Sequence, residues 1–120
     1  MEARPWKYWN EADVPEPEIA GALATLEWML REYPDHPGAH HFYIHLVEAT
    51  STPERGVPSA EKLERLMPGA GHLVHMPAHI YMRTGQYAKS AKSNADAAGV
   101  DEKYFKATGA KDGLYPMMYY

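Results

Sequence analysis

Pro37-Gly38-Ala39-His40-His41 and, 31 residues further along, Pro68-Gly69-Ala70-Gly71-His72 are two versions of one pattern. Proline and glycine interrupt helices, and in both places the pattern opens a segment with helical apolar spacing. The same displacement aligns Glu48 with His79 and Ser59-Ala60 with Ser90-Ala91. A repeat of this length predicts two similar helix pairs that bury their apolar faces against each other.

Apolar spacing predicts further helices on both sides of the repeat. Between Glu18 and Tyr33 apolar residues recur every three or four positions, which is typical of an amphipathic helix. Within the second unit, Pro77 predicts a kink or a late helix start. After Gly85 we expect two more helices, and no window shows sustained strand alternation. The chain is therefore predicted to be one all-α domain, 1–120, with helix pairs at about 18–36, 37–67 and 68–98 and a partial pair at 99–120.

Composition narrows the class of protein. The chain is 45% hydrophobic and 23% charged, with three Trp and nine Tyr, so a folded domain is expected. It has no apolar run of the roughly 20 residues that span a bilayer, which predicts no membrane insertion and makes a cytoplasmic location the default expectation. A net charge of -4 without a block of like charges argues against a nucleic-acid partner.

The seven histidines are the most informative feature of the composition. Because the chain has no cysteine, any metal would have to be held by imidazole or oxygen ligands. His72, His75 and His79 are spaced by three and four, so they share one helix face. The preceding unit offers His41, His45 and Glu48 at spacings of four and three, and packed helices lie about 8 to 10 Å apart. The two faces could therefore meet.

This histidine face allows two interpretations. Neutral imidazoles and a carboxylate suit a divalent zinc, copper, iron or nickel ion, and such a site could keep an open coordination position. The candidate metal ligands are His41, Glu48, His72, His75 and His79. Alternatively, the histidines are polar surface residues, or interior residues bonded to the backbone and to Tyr43 and Tyr81. We expect His36 and His40 to be solvent-exposed and structural.

The second unit resembles a tetratricopeptide repeat. The resemblance rests on Pro68 and on residues at that family's small and aromatic packing sites, namely Ala78, Tyr81, Gly85, Tyr87, Ser90 and Ala97. The first unit matches more loosely, with Glu54 where the glycine between the helices would be. From about residue 15 onwards the chain resembles an uncharacterised group of larger bacterial tetratricopeptide-repeat proteins. This implies a right-handed solenoid of antiparallel helix pairs, of which the chain would be an internal fragment.

The resemblance also implies where a partner would bind. The first helix of each tetratricopeptide pair lines a concave groove, and here that groove would bind a peptide or protein segment. The expected binding residues are His41, Tyr43, His45, Glu48, His72, His75, His79, Tyr81 and Arg83. The alternative is a metal-binding or metalloenzyme module, although a binding protein is favoured over an enzyme. Exposed solenoid ends, at 6–9 or 117–120, would favour a homo-oligomer.

Overall fold

A computed structural model describes residues 7–109 of the chain, and within them the fold is helical. Apart from one isolated bridge between Trp9 and Pro15, these residues form no β-structure. The helices are α1 (Pro17–Glu32), α2 (Pro37–Val47), α3 (Val57–Leu66), α4 (Gly71–His75), α5 (Pro77–Arg83) and α6 (Tyr87–Thr108), with a 3₁₀ turn at Pro53–Gly56 before α3. The all-α prediction is confirmed for residues 7–109, whereas the right-handed solenoid stays a prediction.

Proline residues set most helix starts. Pro17, Pro37 and Pro77 each occupy the first position of a helix, where the missing N–H has no intrahelical partner to lose. His36 caps α2, because its Nδ1 accepts the N–H of Ala39 at 3.1 Å. The predicted interruption at Pro77 is confirmed, since α4 ends at His75 and α5 begins after Met76.

One predicted boundary is wrong. The two helices expected after Gly85 form a single 22-residue helix, α6, so residues 99–108 are not the start of a separate pair. Gly99 lies inside this helix without a left-handed backbone, and α6 ends only at Gly109, which has a φ of 67°. A glycine in a helix lowers stability by about 1 kcal/mol but does not stop the helix when no proline follows.

Two apolar clusters hold the helices together. The first lies between α1 and α2 and includes Ile19, Leu26 and Leu46. The second joins α2, α3 and α5 and consists of Ile44, Val47, Ala60, Leu63, Met76, Ile80 and Tyr81. Helix α1 packs against α2, and each following helix contacts the next, with α4 and α5 both lying on α6. Tyr43 packs against both clusters and therefore ties α1 to the rest of the fold.

His40 corrects a second expectation. It is 5% exposed rather than solvent-facing. Its Nε2 lies 2.7 Å from the carbonyl oxygen of Pro34, and its Nδ1 lies 2.9 Å from Oγ of Ser59. A carbonyl can only accept, so Nε2 carries the proton and Nδ1 accepts the Ser59 hydroxyl. His40 is thus a fully bonded interior histidine that joins α2 to α3.

The ends proposed for self-association lie largely outside the described residues. Residue 6 and residues 117–120 are among those not described. Trp9 is half-buried, and its indole N–H donates to the carbonyl of Leu46 on α2. Within residues 7–109, no helix is both long and apolar enough to cross a membrane.

Candidate metal centre

The first helix of each repeat unit contributes to one cluster of imidazoles. Helix α2 supplies His41 and His45, and Glu48 caps its end; the segment α4–α5 supplies His72, His75 and His79. The imidazole rings of His41 and His72 have centroids 5.0 Å apart, and those of His45 and His79 lie 5.7 Å apart. We call these six residues the histidine cluster. The structure brings together all six positions that the spacing placed on facing helices.

Three of these histidines converge on one point. His41, His45 and His72 each offer a ring nitrogen, and the three nitrogens lie within 4.8 Å of one another. Nε2 of His41 is 3.2 Å from Nε2 of His72. Two nitrogens bound to one tetrahedral zinc at about 2.0 to 2.1 Å are separated by about 3.3 Å. The separation of His41 and His72 is therefore close to that of two ligands of a single ion.

Glu48 is the most buried member of the cluster and contacts histidines of both segments. Its side chain is 8% exposed, with Oε2 2.8 Å from Nδ1 of His79 and Oε1 3.5 Å from Nδ1 of His45. Burial alone would raise the pKa of Glu48, but hydrogen bonds from His45 and His79 outweigh it and lower the pKa to about 2. Glu48 is therefore an ionised carboxylate that orients two imidazoles.

His75 and His79 form a second close pair. Their Nε2 atoms lie 3.0 Å apart, and their ring centroids 4.7 Å apart. Nδ1 of His75 lies 2.6 Å from Oδ1 of Asn94 on α6. Asn94 was not expected from the sequence. The sequence offers one indication of its position: Asn94 lies four residues after Ser90, and residues four apart on a helix share a face.

The cluster also favours neutral imidazoles. The pKa of His41 is lowered to about 4, chiefly by burial and then by the neighbouring His45, His72 and His79. The pKa of His72 is lowered for the same reasons, burial first and neighbouring histidines second. Neutral imidazole is the form that binds metal, because its unprotonated nitrogen carries a lone pair. Each of these two rings therefore keeps one unprotonated nitrogen at neutral pH.

The other residues expected to line a groove are placed differently. Tyr81 is fully buried in the second apolar cluster and its hydroxyl donates to Glu64, so its side chain offers no surface to a partner. Tyr43 is half-buried between the two clusters. Arg83 is exposed, and its Nη2 donates to the carbonyl of Thr50 at 2.9 Å. Of these three residues, only Arg83 is exposed.

A cavity opens beside the second pair of histidines. Its volume is about 500 Å³, and its lining includes Glu48, His75, His79, Arg83 and Asn94. Water and small ligands can therefore reach the pair from this side.

Comparison with known proteins leaves the family open: no family model, curated protein or solved structure matches the chain. The resemblance to tetratricopeptide repeats accordingly stays a prediction.

Proposed function

We propose that the histidine cluster binds a divalent transition-metal ion through His41, His45 and His72. The observation that carries this proposal is the convergence of their three ring nitrogens within 4.8 Å. Imidazole ligands suit zinc, copper, iron and nickel. The proposal keeps His41 and His72 from the predicted ligand set and adds His45.

Glu48 supports this site as an orienting group rather than as a ligand. Its contact with Nδ1 of His45 leaves Nε2 of that ring available to the ion. Metal-bound histidines usually donate their other N–H to a carboxylate or carbonyl, which fixes the ring and raises its basicity. The buried negative charge of Glu48 also offsets part of the charge of the ion.

Three histidines would leave a fourth coordination position for water or another ligand. Catalytic zinc sites share this feature, because three protein ligands leave room for an activated water. The proposed function is therefore metal binding, and metal-dependent catalysis would additionally require an activated water at the fourth position.

The test is a calorimetric titration of untagged, chelator-treated protein with zinc and, separately, with cobalt. We expect binding that raises the free energy of unfolding by about 2.7 kcal/mol when the free ion is 100 times the dissociation constant. His41→Ala should weaken binding at least tenfold at this site. His36→Asn is the matched control, because His36 lies outside the cluster and asparagine can still cap α2. Absence of both heat and stabilisation for either ion would refute the proposal.

A second candidate function is recognition of a peptide or protein segment. Its support is the cavity beside the cluster, where Met82 is 55% exposed and Arg83 supplies a cation at the surface. Probing a peptide array with the purified chain tests this function. Selective peptides that lose binding with Arg83→Ala would support it, whereas binding to no peptide would count against it.

A further inference from the structure

The pair His75–His79 has an unusual pattern of hydrogen-bonding atoms. Nδ1 of His75 faces Oδ1 of Asn94 at 2.6 Å, and Nδ1 of His79 faces Oε2 of Glu48 at 2.8 Å. Both partners are oxygen acceptors, and a neutral imidazole carries a single N–H. The proton of each ring is therefore on Nδ1. Each Nε2 is left with only a lone pair.

The two atoms that carry these lone pairs lie next to each other. The Nε2 atoms are 3.0 Å apart, a distance at which two acceptors repel unless a cation lies between or beside them. That cation is either an extra proton or a metal ion. The separation is close to the roughly 3.3 Å between two nitrogens of one tetrahedral ion. An oxygen acceptor behind each ring is the usual arrangement around metal-bound histidine.

We infer that His75 and His79 form a second metal position, which binds a divalent ion of the zinc class. The cavity of about 500 Å³ is lined by both histidines, so water would be able to complete the coordination of an ion held there. This inference goes beyond the proposed function, because its ligands are not those of the first site. The histidine cluster then holds two ions, and either position can fail without the other.

Glu48 connects the two positions. One of its oxygens faces His45 in the first site and the other faces His79 in the second. A single buried carboxylate thus orients one ligand of each ion. Replacing it should weaken both positions, whereas replacing Asn94 should weaken only the second.

The experiment is a stoichiometric titration of the untagged chain with zinc, with far-ultraviolet circular dichroism as the folding control. We expect two ions for the native chain, one for His79→Ala and one for His41→Ala. One ion in the native chain, still bound by His79→Ala and lost in His41→Ala, would overturn this inference and leave the proposed function intact. One ion lost in His79→Ala but kept in His41→Ala would support the inference and refute the proposed function. A native chain that binds no ion would overturn both.

Asn94 gives a sharper second test. Asn94→Ala should reduce zinc affinity at the second position about 10- to 100-fold and leave the first unchanged. Asn94→Asp should restore it, because a carboxylate can accept the Nδ1 proton but cannot donate. Loss of affinity in Asn94→Asp would mean that the amide donates to His75 and would overturn the inference. Nitrogen-15 NMR of the metal-free chain should show a proton on Nδ1 of both rings, and a ring whose Nδ1 carries no proton would also overturn the inference.

Discussion

The two histidine-bearing segments of the repeat, α2 and α4–α5, differ at their middle ligand. In α2 the sequence Ile44-His45 buries the isoleucine fully and places the histidine in the cluster. In the second unit the aligned residues are His75 and Met76, and here the first joins the cluster while the second is fully buried. The outer residues are seven positions apart in both segments, so His41 aligns with His72 and Glu48 aligns with His79.

Helical spacing accounts for the exchange. His41 and His45 are four residues apart in α2, whereas His72 and His75 are three residues apart in α4, and both spacings place two side chains on one face of a helix. Met76, which follows α4, keeps a right-handed helical backbone, with φ of -52° and ψ of -40°. The two segments therefore reach the same cluster with different middle residues.

Substitutions at the aligned residues Ile44 and His75 test this comparison most strongly. Ile44→His should destabilise the chain by about 3 to 6 kcal/mol, since it removes a fully buried apolar side chain and buries an imidazole without a partner. The reciprocal His75→Ile should change stability by less than about 1 kcal/mol, because His75 lies at the half-buried edge of the cluster. Urea unfolding with a chelator present measures both values. Equal effects would show that the two positions share one environment.

The sequence predicted the parts of the fold that depend on local signals. Apolar spacing and prolines located α1 to α5, and spacing alone placed His41, His45, Glu48, His72, His75 and His79 on facing helices. The continuity of α6 was missed, because Gly99 looks like a break in sequence although a helix tolerates it. The burial of His40 and the role of Asn94 depend on partners 19 residues away, Ser59 and His75. Residue spacing within one helix carries no information about such contacts.

The pH dependence of stability gives a second comparison between the two segments, at the aligned residues His41 and His72. Burial lowers the folded-state pKa of His41 to about 4, below its ordinary value of 6.5, so the unfolded chain takes up the proton first. Stability from this group is complete above pH 6.5 and is lost as the pH falls towards 4. The shift corresponds to about 3 kcal/mol at most, which solvent screening reduces to about 1 to 2 kcal/mol.

Urea unfolding midpoints between pH 7.5 and 4, in chelator, test this expectation. His41→Gln should reduce the loss of stability at low pH. His72→Gln should reduce it less, because His72 is the more exposed of the two. Below pH 4.5 a further loss should follow as Glu48 is protonated, since its folded-state pKa is lowered to about 2. A midpoint that does not change between pH 7.5 and 4 would contradict the assignment.

The smallest expected effect concerns the turns between the paired helices, where Gly85 aligns with Glu54. Gly85 has a φ of 78°, a left-handed conformation that an L side chain adopts only with strain, whereas Glu54 lies in a 3₁₀ turn of ordinary handedness. An added Cβ at Gly85 would meet no atom within 4 Å, so only the backbone resists substitution. Gly85→Ala should therefore destabilise the chain by about 1 kcal/mol, Gly85→Asn by less, and Glu54→Ala by under about 0.5 kcal/mol. Thermal unfolding of the three variants measures the difference, and zinc binding should be unchanged in all of them. Equal values for Gly85→Ala and Glu54→Ala would mean that the two turns impose the same backbone demand, and the difference between the units would then be confined to the histidine-bearing helices.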